Sequence, residues 1–191
     1  MKSISKKVIK RYEEKALSDR DVLSKLDGKA CVILYPDLYK YQTLKQVLGV
    51  YKACILLIES RPKYGHWVCI FQHDNGDVEF FDSYGENKHE LGSGLPDYSL
   101  SLIDPEFRDE SNQNYTYLSK LMLDFPGNLH YNQYQFQKHR KGIRTCGRHC
   151  VFRLLNRHLE IDEYKKYMDH LLHMFPYLKD YDGVVSYFTK P

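Results

Sequence analysis

Two spacings of apolar residues alternate along the chain. SISKKVIKRYEEKAL sets Val8, Tyr12 and Leu17 on one side at helical spacing, which predicts an amphipathic helix. SDRDVLSKL follows, with Ser18 as N-cap and Asp21 at capping-box spacing. ACVILY predicts a short strand or entry segment. PDLYKYQTLKQVLG opens on a proline and closes on Gly49, and predicts a helix. YKACILLIES is an almost unbroken apolar run, as in a strand buried on both faces. HWVCIFQH and VEFFDSY predict two more strands, joined by DNGD as a tight hairpin turn. GENKHELGSGLPDYS is loop by its Gly, Pro and Asp content. NYTYLSKLMLDF predicts a helix ended by Pro126 and Gly127, and the alternating NLHYNQYQFQ a further strand. KHRKGIRT is a polar loop. A helix runs from Cys146 to about Leu159, with Cys150, Val151, Leu154, Leu155 and His158 on one side. Another covers about Asp162 to Phe175, and DGVVSYF is a short final element. This order predicts one α+β domain over residues 1–191, a mixed or antiparallel sheet with helices packed on it.

Composition narrows the function classes. Net charge is +3, from 28 Lys and Arg against 25 Asp and Glu, too small to argue for a polyanion partner by itself. MKSISKKVIKRY and KHRKGIR are locally basic and read as solvated faces, with phosphate contact as the alternative. The chain has 17 tyrosines beside one tryptophan. Tyrosine fills cores with its hydroxyl at the edge, and most of these are assigned that role. There is no apolar leader and no apolar run of the ~18 residues a membrane helix needs. The five cysteines are therefore expected as free thiols in a reducing, intracellular compartment, in a protein that is not secreted. In that setting one special cysteine is a candidate nucleophile.

Three residues fall where chemistry can be built. His66 opens one hairpin strand, in GHWVCIF, and Asp82 closes the other, in EFFDSYG. Counted back from DNGD, both lie at the open end of the hairpin, within side-chain reach. A carboxylate beside an imidazole orients the ring and stabilises its protonated form. Cys146 follows a polar loop and starts a helix, facing unpaired N–H groups and the positive end of the dipole. Both favour a thiolate, the nucleophilic form. Gly147 leaves room for a substrate backbone. Backbone N–H groups at the helix start, that of Cys146 included, supply part of an oxyanion site. Gln133, Gln135 and Gln137 share one strand face at period two and offer the rest, Gln137 being nearest to Cys146.

GHW, then FFDSYG, then a glutamine, then TCG at a helix start resembles the adenovirus maturation protease and the SUMO-specific protease superfamily. TCGRHCVFR is most similar to the small maturation proteases of large DNA viruses, virophages and their transposon relatives. The resemblance spans about Ile55 to Leu155, inside a catalytic core of about residues 51–160. It implies a papain-like cysteine protease fold of the adenoviral type. It implies Cys146 as nucleophile, His66 as general base and then acid, Asp82 as the residue that orients His66, and Gln137 as oxyanion donor. The family's glutamine sits closer to its cysteine than the nine residues here, which keeps Gln135 as second choice. Trp67 is implied to roof a narrow cleft, so Gly-containing sites in capsid or other virion precursors are the expected substrates. No cofactor is required by the resemblance, with an activating peptide or DNA left open. A monomer without membrane attachment, in the virion and host-cell interior, is expected, with nucleic-acid contact at most weak. Deconjugation of ubiquitin-like modifiers is the neighbouring alternative, because the same cleft serves both.

Two other classes compete. Cys146, His149 and Cys150, completed by Cys69 and His73, are zinc-ligand types. The chain has no C-x2-C knuckle, and Cys69 is assigned to the strand face opposite His66 and Trp67. A nucleic-acid module would interleave aromatic platforms with Lys and Arg on a sheet face, which neither hairpin strand does. Cys54, Cys69 and Cys150 are expected in the core.

Overall fold

The computed structural model describes residues 5–85, 100–101 and 103–190. The chain opens with helices α1 (Lys6–Glu13) and α2 (Asp19–Leu26), then strand β1 (Cys31–Leu34). Helix α3 (Leu44–Leu48) leads into β2 (Ala53–Arg61), β3 (Tyr64–Gln72) and β4 (Val78–Phe81). Helices α4 (Pro105–Glu110) and α5 (Tyr117–Leu123) precede β5 (Leu129–Tyr131). Helices α6 (Cys146–Leu155), α7 (Ile161–Met174) and α8 (Tyr181–Phe188) complete the chain. The five strands form one mixed sheet in the order β1-β2-β3-β4-β5. Its inner pairings are antiparallel and its two outer pairings parallel. The α+β class read from the sequence is the one observed.

Both faces of the sheet are covered, which explains the unbroken apolar run in β2. Ala53, Ile55 and Leu57 face a core shared with α2, α6, α7 and α8. Cys54, Leu56 and Ile58 face a second core with α3 and α5. Period two divides β3 in the same way: Trp67, Cys69 and Phe71 on the α6 side, Val68 and Ile70 on the other. Cys69 thus shares a face with Trp67, contrary to the assignment above, and opposes only His66. Ser18 and Asp21 form the capping box that opens α2. Among the described residues, no helix is long and apolar enough to cross a membrane.

Three predicted elements are corrected. PDLYKYQTLKQVLG is not one helix. A 3-10 turn covers Tyr35–Lys40, and α3 starts afresh behind its own cap, where the Thr43 hydroxyl accepts from the Gln46 N–H. NLHYNQYQFQ pairs with β4 only through Leu129–Tyr131. At Asn132 the side chain takes over: Oδ1 accepts from the Tyr134 N–H at 2.8 Å, and Nδ2 donates to Asp82 O at 2.6 Å and Tyr134 O at 2.9 Å. That Asx turn lifts the chain off the sheet. The C-terminal helix that begins at Cys146 stops at Leu155. Helix α4 carried no clear signal, and GENKHELGSGLPDYS lies outside the described residues beyond Gly85.

Candidate active site

The DNGD turn closes as expected, with Gly76 at φ +96° and its N–H donating to His73 O. Cys69 pairs with Phe81 in the β3–β4 register, so Asp82, one residue past β4, lies diagonally across from His66. His66 Nε2 meets Asp82 Oδ1 at 2.8 Å. The same carboxylate oxygen accepts the Tyr84 N–H at 2.9 Å, which fixes its direction. Upstream of His66, Gly65 lets β3 lie against β2. A Cβ there would sit 1.9 Å from Ile58 O, so no other residue fits without moving the strand.

Cys146 is the first residue of α6 and is 7% exposed. Its sulfur lies close enough to the His66 ring to help hold it protonated, and both residues line one cavity. Nε2 of that ring is taken by Asp82, so Nδ1 is the nitrogen left for sulfur. Burial pushes the His66 pKa down, but the Asp82 carboxylate and the Cys146 contact outweigh it and raise it to about 10. His66 is therefore held as imidazolium at neutral pH.

Of the three glutamines, the structure brings one to the cysteine. Gln137 is buried, its Oε1 accepting from the Ser83 hydroxyl at 2.7 Å. Its backbone N–H donates to Ser83 O at 2.8 Å. This anchoring turns Nε2 toward the Tyr84 hydroxyl, 3.4 Å away, at the wall of a cavity of about 230 Å³. His66, Cys146, Tyr84 and Gln137 all line that cavity. Gln133 and Gln135 are exposed, Gln133 reaching toward Asp162.

Trp67 and Gly147 pack against each other beside the cavity. Trp67 is 4% exposed, donates its indole N–H to Leu17 O, and lines an adjoining groove rather than the cavity that holds Cys146. Gly147 is buried too, and a Cβ on it would lie 3.0 Å from the indole ring. The glycine accommodates the tryptophan. The indole seats α6 against β3.

Asp182 on α8 was not legible in the sequence. It is fully buried, and its carboxylate accepts from the Thr145 hydroxyl, from the Lys138 N–H at 3.1 Å, and from His149 Nε2 at 3.1 Å. Burial raises its pKa, but His149, Thr145 and Lys138 outweigh that and hold it below the ordinary carboxylate value. Lys138 follows Gln137 and Thr145 precedes Cys146, so one carboxylate fixes both. Because the Thr145 hydroxyl goes to Asp182, it does not cap α6, whose first-turn N–H groups stay free of that side chain. No local pattern links residue 182 to residue 146; the tie is tertiary.

The proposed zinc ligands are not assembled. His149 is bound to Asp182 and His73 to Glu79, at 3.1 Å each. Among the described residues, no group of three or more His, Cys, Asp or Glu side chains is placed to hold a metal. Cys54, Cys69 and Cys150 are core residues.

Fold and site together define an α+β protein with an imidazole–carboxylate pair and a cysteine beside one small cavity. No family model matches the chain. An uncharacterized protein, V9 of Sputnik virophage, is 51% identical over 163 residues, which cover 85% of this chain and 89% of that protein. The chain belongs to the family of that virophage protein.

Proposed function

We propose that this protein is a cysteine endopeptidase in which Cys146 is the nucleophile, His66 the general base and acid, Asp82 the residue that orients His66, and Gln137 the oxyanion donor. The observation that carries the reading is the Asp82–His66 pair, in contact at 2.8 Å, on a cavity that His66, Cys146 and Gln137 line together. An imidazolium beside a sulfur at a helix N-terminus is the arrangement that supports a thiolate nucleophile. Sulfur attacks the scissile carbonyl carbon, and the oxyanion takes hydrogen bonds from Gln137 Nε2 and the Cys146 N–H. Nδ1 of His66 passes its proton to the leaving amine, and a thioester remains. Water then gives a proton to Nδ1 while its oxygen attacks the thioester, and the acid product leaves as the Cys146 thiolate and His66 imidazolium are restored.

The papain-like, adenoviral type of arrangement is part of the proposal. It is supported by a nucleophile-bearing helix packed on a mixed sheet whose strand carries the histidine. The cavity, about 230 Å³, is smaller than the ~300 Å³ lower bound of ordinary ligand pockets, which supports Gly-containing cleavage sites. The virophage relative supports a viral setting, and we extend it to processing of capsid or other virion precursors in the particle or the infected cell.

The test begins with iodoacetamide at limiting concentration and pH 6, followed by peptide mass mapping. Cys146 is expected to label first, and to lose that preference in His66→Ala. Wild type should cleave Gly-containing peptides and Cys146→Ala should not, while both unfold at similar temperatures. Persistent cleavage by Cys146→Ala sinks the assignment.

A further inference from the structure

Tyr84 lies between the two halves of this site. Its ring stacks on the His66 imidazole, with centroids 4.8 Å apart and planes within 15°. Its backbone N–H donates to Asp82 Oδ1, the oxygen that also holds His66 Nε2. Its hydroxyl accepts from Gln137 Nε2 at 3.4 Å. His139 covers the other face of the ring, 4.0 Å away and within 17° of parallel. The turn that carries Tyr84 is itself pinned: the Gly85 N–H donates to Asp82 O, and Gly85 sits at φ +69° against Tyr134 O, where a Cβ would come within 2.4 Å.

We propose that Tyr84 is a positioning residue that aligns the His66 imidazole and the Gln137 carboxamide together, with His139 clamping its outer face. The proposal rests on the peptidase reading of the site. A stacked ring keeps the imidazole from swinging away from sulfur, and its π-face favours the imidazolium. The hydroxyl fixes one N–H of the Gln137 amide and leaves the other for the oxyanion. The groups that face His66 are Asp82, Cys146 and Tyr84, so a change in its protonation after Tyr84 is altered reports this stack.

The two contacts are separable. Tyr84→Phe keeps the stack and removes the hydroxyl. Tyr84→Leu removes both. Two quantities are measured on each variant: the pH dependence of Cys146 carboxymethylation, and kcat and KM on a cleaved Gly-containing peptide. In Tyr84→Phe the labelling profile should match wild type, while kcat falls about tenfold at unchanged KM as the oxyanion donor loosens. In Tyr84→Leu the alkaline limb of the profile, set by loss of the His66 proton, should shift to lower pH by about half a unit or more, and kcat should fall about a hundredfold, as for a misaligned reacting group. Partial recovery in Tyr84→Phe relative to Tyr84→Leu is the signature of positioning. A wild-type profile and kcat in Tyr84→Leu overturn the proposal. So does a kcat within twofold of wild type in Tyr84→Phe, which settles the matter if Tyr84→Leu does not fold. Labelling of Cys146 that is identical in wild type and His66→Ala marks a different failure: the peptidase reading falls, and this proposal with it.

Discussion

His66 is a largely buried base whose charge depends chiefly on one carboxylate. Burial alone would depress its pKa, so Asp82→Ala should bring it well below about 10, with the Cys146 sulfur left as the upward influence. An NMR titration of the His66 ring reads this directly, and a value still near 10 in the variant would mean that Asp82 is not the cause. Turnover should fall about a hundredfold, less than on loss of Cys146, because the ring loses its orientation but keeps its chemistry. The glutamines give a sharper contrast. Gln137→Ala should lower kcat by about 10² to 10³ with little change in KM, as for other oxyanion donors. Gln133→Ala and Gln135→Ala should stay within about twofold of wild type, since both side chains are exposed and away from the cavity. The placement of His66, Asp82 and Cys146 was legible in the sequence because each is tied to a local signal: the DNGD turn, or the polar loop before a helix. The choice among glutamines was not, because it depended on a strand that ends at Tyr131.

Helix α6 is held as an element by polar anchors at both ends. Asp182 takes the Thr145, Lys138 and His149 donors at its start. Near its end, Arg153 makes a bidentate pair with Glu79 on β4, Nε to Oε1 at 2.8 Å and Nη2 to Oε2 at 2.7 Å, with both residues buried. Removing one partner of such a group strands the others without water. Asp182→Ala and Glu79→Ala should each cost roughly 3–5 kcal/mol in denaturant unfolding. Costs below about 1 kcal/mol would show that water or rearrangement satisfies the abandoned donors. The two variants should differ in function: Asp182→Ala also frees the Gln137 and Cys146 segments and should lose turnover beyond its loss of folded protein. The apolar face of α6 was legible from spacing, and these anchors were not. Arg153 and His149 fall outside the apolar side read from the spacing, yet both are buried. Two of the three corrected segments share a cause. At Thr43 and Asn132 a side chain satisfies the backbone in place of the helix or the sheet.

Across the whole molecule, these titrating groups set opposite limits on stability. Glu79 and Asp182 have pKa values held low, by the His73 and Arg153 contacts in one case and by His149 and Thr145 in the other, against the upward push of burial. Their contribution is present above the ordinary carboxylate range and is lost as pH falls through the lowered folded values. His66 is shifted the other way. Its contribution is complete below the unfolded value of 6.5 and is lost as pH rises toward the folded value of about 10. Stability should therefore be greatest near pH 5 to 6.5 and decline on the alkaline side. The slope from His66 is at most about 1.4 kcal/mol per pH unit, the linkage value for one proton. Cys54 and Cys150, whose thiols burial holds protonated, add their own loss once the unfolded thiols ionise, near their ordinary value of 9.0. The His66 contribution is therefore read between pH 7 and 8.5. Urea unfolding of wild type and His66→Gln across that window isolates it. The wild-type free energy should fall steadily and the variant's should stay flat, so that the two curves converge as pH rises. Parallel curves would mean that His66 carries no raised pKa in the folded protein, and the electrostatic basis of the Cys146–His66 pair would go with it.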